Sequence, residues 1–90
     1  MQHRFVKDPD ATLDYGFDWS RWLEGDTIQL ASVSVSPSGL TITRVDFSTT
    51  GVVVWLSGGA PGSTYLVTCR IETASGRVDE RSMRLFVAHR

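Results

Sequence analysis

Residues 59–77, GAPGSTYLVTCRIETASGR, carry the reading of the fold. Tyr65, Val67, Cys69 and Ile71 alternate with Leu66, Thr68, Arg70 and Glu72. A period of two over this length is the pattern of a strand with one face in a core and one face in water. Gly58 to Gly62 (GGAPG) is the strongest turn signal in the chain and precedes the strand, while Ala74 to Gly76 supplies a hairpin turn after it. The returning partner runs from Arg77 to His89, with Met83, Leu85 and Val87 on the core phase and Arg84, Phe86 and Ala88 on the other. Immediately upstream, Val52 to Ser57 (VVVWLS) is a continuous apolar run, too short and too β-branched for a helix. It reads as a strand covered on both faces.

Further upstream the pattern slips. In Thr27 to Ser36 the apolar phase changes from Ile28 and Leu30 to Val33 and Val35, which predicts a bulge near Ala31 and Ser32. Leu40 to Phe47 repeats the slip, from Leu40 and Ile42 to Val45 and Phe47, so the two strands read as one bent hairpin turned by Pro37, Ser38 and Gly39. Leu13, Tyr15, Phe17 and Trp19 alternate with Asp14, Gly16 and Asp18, predicting a strand over 11–18 with an aromatic face and an acidic face. Trp19 to Glu24 follows as one helical turn, with Gly25 as a left-handed stop. Pro9 holds the lead-in extended, so residues 1–10 read as an N-terminal arm and 11–90 as one domain. About seven strands with turns between them predict an all-β, antiparallel sandwich. The 59–77 segment also resembles the penultimate hairpin of fibronectin type III and related immunoglobulin-like domains. That resemblance implies that the Tyr65 hydroxyl ties its strand to the preceding loop and that Trp55 packs against Cys69, here a thiol and not a cystine.

Composition narrows the function. Ninety residues with a formal charge of -1 leave no basic stripe for nucleic acid, and the late arginines are interleaved with Glu72, Asp79 and Glu80. No run approaches the roughly 18 apolar residues of a membrane span. The only cysteine, Cys69, lies on an inward phase, and the only histidines, His3 and His89, sit at the two ends, so no nucleophile–base pairing is expected. The expectation is no enzyme, no cofactor and no metal. Asp8, Asp10, Asp14 and Asp18 lack the glycine and distal glutamate of a calcium loop. What remains is an aromatic and acidic N-terminal surface. Its interface candidates are Lys7, Asp8, Pro9, Asp10, Asp14, Tyr15, Phe17, Trp19 and Trp22.

The phrase KDPDATLDYGFDWSRWLEGDTI, then SPSGLTI, then GSTYLVTCRIETASGRVDERSMRLFV, resembles a family of small tailed-bacteriophage virion proteins, the fiber-tail adaptors. The resemblance covers about Phe5 to Val87. It implies an immunoglobulin-like sandwich, made in the bacterial cytoplasm and placed in the tail or neck of the virion. It implies as partners other tail or neck proteins and a tail fibre, with several copies around the tail. On this reading the Lys7 to Asp18 arm docks on a tail protein and a loop end of the sandwich holds the fibre. Removing residues 1–10 is then expected to spare folding and abolish incorporation. The alternative is a stand-alone recognition module that binds carbohydrate or protein through exposed aromatics.

Overall fold

The structure, a computed structural model, describes residues 3–89; Met1, Gln2 and Arg90, the outermost part of the expected arm and the last residue, lie outside it. Its elements in chain order are β1 (His3–Lys7), β2 (Thr12–Asp18), α1 (Ser20–Leu23), β3 (Ile28–Ser36), β4 (Leu40–Phe47), β5 (Gly51–Gly58), β6 (Thr64–Thr73) and β7 (Val78–Val87). Two sheets of order β1-β7-β6-β3 and β2-β5-β4 face one another. The all-β sandwich of seven strands with one helical turn thus stands as expected.

The alternation in β6 and β7 does what a period of two demands. Val67, Cys69, Ile71, Leu85 and Val87 are fully buried, opposite Val52, Val54 and Leu56 of β5. The Tyr65 hydroxyl accepts a hydrogen bond from the Ala60 backbone at 2.9 Å, tying β6 to the preceding loop. The same ring lies against Gly39, where an added Cβ would stand 3.0 Å from the hydroxyl. A side chain there would push the tyrosine out of its seat.

Several expectations are corrected. β3 and β4 are not a hairpin: β3 pairs with β6 and β4 with β5, so the chain changes sheet through residues 37–39. A phase slip in each strand reports a local bulge and is silent about which strands are neighbours. In β3 the register breaks between Ile28 and Leu30, ahead of the expected Ala31 and Ser32, so Leu30 turns outward and Ala31 takes the core phase. In β4 the break falls between Ile42 and Arg44, as the slip indicates. β5 is covered on one face only, with Val53 exposed and Trp55 half-buried on the outer side. Trp55 therefore cannot pack against Cys69; the indole in the core is that of Trp19. Finally, the lead-in is not separate from the sandwich. β1 runs parallel to β7, from His3 beside Met83 to Lys7 beside Val87, and among the described residues is the one parallel pair beside antiparallel ladders.

The helical turn is short because its ends are fixed from outside. The Trp19 amide donates to the Thr50 carbonyl, and Leu23 closes the turn on the Trp19 carbonyl at 3.0 Å. Glu24 takes the left-handed conformation (φ 48) before Gly25 (φ 91), which ends the helix. From the β6–β7 side, the Arg77 guanidinium covers the Trp22 ring at 4.2 Å and donates to the Leu23 carbonyl at 2.8 Å.

Asp26 completes this clamp by accepting from the Ser75 hydroxyl, the Arg77 Nε and the Thr27 amide. These donors, the Ser75 hydroxyl foremost and then the Thr73 hydroxyl, hold its carboxyl well below the usual carboxylate range. A folded-state pKa depressed in this way contributes stability above the unfolded value near about 4, and that stability is lost as pH falls through the folded value. Asp26→Asn is therefore expected to lower the melting temperature at neutral pH, and its deficit against the parent should shrink on acidification below about pH 4. Thermal melts of both chains across that range check this. A deficit that stays constant down to about pH 2 would count against the assignment.

Candidate interaction surfaces

The nine residues singled out from the sequence do not share one surface. Trp19 is fully buried and Phe17 nearly so, the two rings stacked with centroids 5.9 Å apart. The Trp19 Nε1–H donates to Asp79 at 2.8 Å, and the Arg81 guanidinium lies 4.8 Å from the ring centroid. Both aromatics belong to the core and to its end cap. Lys7 is also fully buried, its ammonium donating to the carbonyls of Asp8 and Gly58 at 2.8 Å each. Burial lowers its pKa, against the opposing pull of Asp8 and Asp10. These three are structural, because alternation alone cannot say which apolar face a half-covered edge strand keeps.

The remaining candidates lie on the outside. Asp8 and Pro9 are half-buried and Asp10 is exposed, in a turn where Asp8 accepts from the Asp10 amide at 2.8 Å. The structure brings His89 to these two acids, with ligand atoms of all three within 4.8 Å of one another, whereas Asp14 and Asp18 lie apart along β2. The Lys7 ammonium supplies positive charge beside the two carboxylates. Trp22 is half-buried beneath Arg77. Tyr15 is half-buried with its ring 5.3 Å from that of Phe5, which joins the edges of the two sheets, β1 and β2, on one side of the sandwich. Phe5 and Leu13 are exposed there, on the same phase of their strands as Lys7 and Tyr15, and form an apolar seam.

A second surface is invisible to the sequence reading. At the Asp18 end of β2, the end of the β2-β5-β4 sheet carries a shallow cleft of about 500 Å³. Gly16 pairs with Val53, and a Cβ added to it would meet nothing within 4 Å, so the missing side chain opens the floor. Phe47, 47% exposed, and Val53 provide the apolar walls, and Asp18 and Asp46 stand at the rim. Asp46 is paired with Arg44 at 2.6 Å. Asp18 accepts from the Ser20 amide at 2.9 Å, which, with the Ser20 hydroxyl and the charge of Arg81, lowers its pKa. The one signal in the sequence was a glycine inside an alternating strand. Phe47 shares the inward phase of Val45 but lies at the strand end, where the facing sheet no longer covers it.

Cys69 is buried within β6, and burial pushes its pKa up to about 12, which keeps it a thiol. Among the described residues no helix is long and apolar enough to cross a membrane.

In comparison with solved structures, the chain is similar to the solution structure of the PKD domain from KIAA 1837 protein. The two share 14% identity and a TM-score of 0.56 over 98% of this chain and 80% of that one. At this identity the likeness concerns the immunoglobulin-like fold alone. No protein of curated function matches. The sequence pattern of the family described as podophage GP4 fiber-tail adaptor protein gp77 matches residues 7–86, from the buried lysine to the last strand. The chain belongs to the podophage GP4 fiber-tail adaptor family.

Proposed function

We propose that this chain is a non-enzymatic connector of the podophage virion, made in the host cytoplasm and taken up in several copies around the tail or neck. One surface holds a tail protein and another holds a tail fibre. The observation that carries the reading is the family match over 7–86, which includes the Phe47–Val53 cleft and the Leu13 side of the seam. The Phe5–Leu13 seam suits a tail protein, since it is continuous with the acidic turn at Asp8 and Asp10. The Phe47–Val53 cleft suits an apolar side chain of the fibre, because interfaces centre on such anchors.

Immunogold electron microscopy of purified particles, with an antibody against this chain, should place label at the tail or neck. Label scattered over the capsid would overturn the location. Phe47→Asp combined with Val53→Asp should leave the fold intact and lower fibre content per particle by roughly 30-fold, as expected for about 2 kcal/mol lost at an anchor. Fibres retained at normal number would remove the cleft from the proposal.

A further inference from the structure

Among the described residues, three of the four sheet edges carry a guard against pairing with another chain along their length, and the fourth, β3, carries one only at its start. β1 is only five residues long and ends in buried Lys7. β2 carries Asp14 and Asp18, and β4 carries Arg44 and Asp46 beside its bulge. Short length, charge and bulges are the usual means of blunting an edge. The stretch of β3 from Leu30 to Ser36, LASVSVS, has no charge and no proline, and its register break lies before Leu30.

β6 is the one strand bonded to β3, so on alternate residues the N–H and C=O groups point away from the sheet. The Ile28 amide donates to the Thr49 carbonyl at 2.9 Å, which closes the start of the edge. Among the described residues no backbone bond outside the ladders reaches residues 30–36. Ser32, Ser34 and Ser36 are exposed and small enough to let a second backbone approach. At one end Leu30, 58% exposed, lines a pocket of about 250 Å³ with Ala31, Ser32, Arg70 and Glu72. Arg70 and Glu72 pair with each other at 3.7 Å, so the walls have no net charge.

We infer that the β3 edge between Leu30 and Ser36 binds an extended strand of a different virion protein, which adds to the β1-β7-β6-β3 sheet and seats an apolar side chain against Leu30. Outward N–H and C=O groups in alternation are satisfied by another extended backbone and by little else. The partner strand needs small residues opposite the serines and an apolar one at the pocket. A second copy paired antiparallel about Val33 would set Ser36 against Leu30 and leave the pocket unfilled. The inference rests on the adaptor reading for the source of the strand.

Hydrogen exchange with mass spectrometry, on the free chain and on intact phage particles, tests it. Sedimentation should find the free chain monomeric, with the outward amides of residues 30–36 exchanging fast. In particles those amides should slow by roughly 100-fold. A free chain that dimerises and protects the same amides would overturn the assignment to a different protein. Particles that contain the chain with the 30–36 amides exchanging as fast as in solution would overturn this inference alone. Particles that lack the chain would overturn the adaptor reading and this inference with it. Ser32→Lys with Ser34→Lys guards the edge without touching the core; it should keep the free chain's melting temperature and reduce incorporated copies by about tenfold or more. Normal incorporation of that variant would equally refute the pairing.

Discussion

Trp19→Ala is expected to cost the chain a large part of its folding stability. The indole is fully buried at the end of the core, stacks on Phe17 and donates its N–H to Asp79 at 2.8 Å. Removing such a side chain costs about 3–5 kcal/mol in lost burial and residual cavity. Asp79 then loses its donor, for a further ~1 kcal/mol or more. A domain of this size has a total stability of roughly 5–10 kcal/mol, so the loss takes a large share of it. The effect reaches beyond one cavity, because the Arg81 guanidinium also rests on this ring and its Nη1 donates to the Asp18 carbonyl. Urea unfolding followed by far-UV circular dichroism measures the loss. Trp19→Phe keeps an aromatic ring and forfeits mainly the hydrogen bond, so it should fall between the parent and the alanine variant. An alanine variant within about 1 kcal/mol of the parent would show that the indole does not cap the core.

Lys7→Met should cost about 1–3 kcal/mol, although it trades a charge for an apolar side chain of similar length in a buried place. The ammonium is the donor for the Gly58 and Asp8 carbonyls, and methionine leaves both without it. The Gly58 contact pins β1 to the turn after β5, so its loss loosens the lead-in as a whole. Deleting residues 1–7 should cost more than the substitution, since it strips β1 from the edge of β7 and uncovers Val87. This revises the expectation that the first ten residues can go without harm to the fold. A truncated chain missing from particles would be reporting a folding defect as much as a lost contact. Lys7 is the only lysine of the chain, so slow acylation of a single side-chain amine is a direct readout of its burial. Rapid labelling in the folded chain, or a methionine variant as stable as the parent, would refute the role given to it.

The legible parts of the fold were those governed by local rules. β6 and β7 followed from alternation bounded by glycine turns, and the Tyr65 tie followed from a resemblance resting on the same residues. The helical turn at 19–24 followed from the spacing of Trp19, Trp22 and Leu23 ahead of a glycine. The site was less legible. Of the nine candidates, Phe17, Trp19 and Lys7 turned out to be interior, while Phe47 and Val53, which wall the cleft, carried the same apolar signature as core residues. Apolarity selects positions that avoid water without saying whether the cover comes from the same chain.

Composition and periodicity by themselves determined a small all-β domain of about seven strands with an unreactive cysteine, and the motifs at its two ends determined the family. Only the tertiary structure decided which strands share a sheet, which of three tryptophans fills the core, and that the N-terminal lead-in is a strand with a buried lysine. The reason is physical. Strand formation answers to a side chain's immediate neighbours, whereas pairing and burial depend on surfaces that meet from distant parts of the chain. β3 and β6 are neighbours in one sheet although β4 and β5, which separate them in sequence, lie in the other.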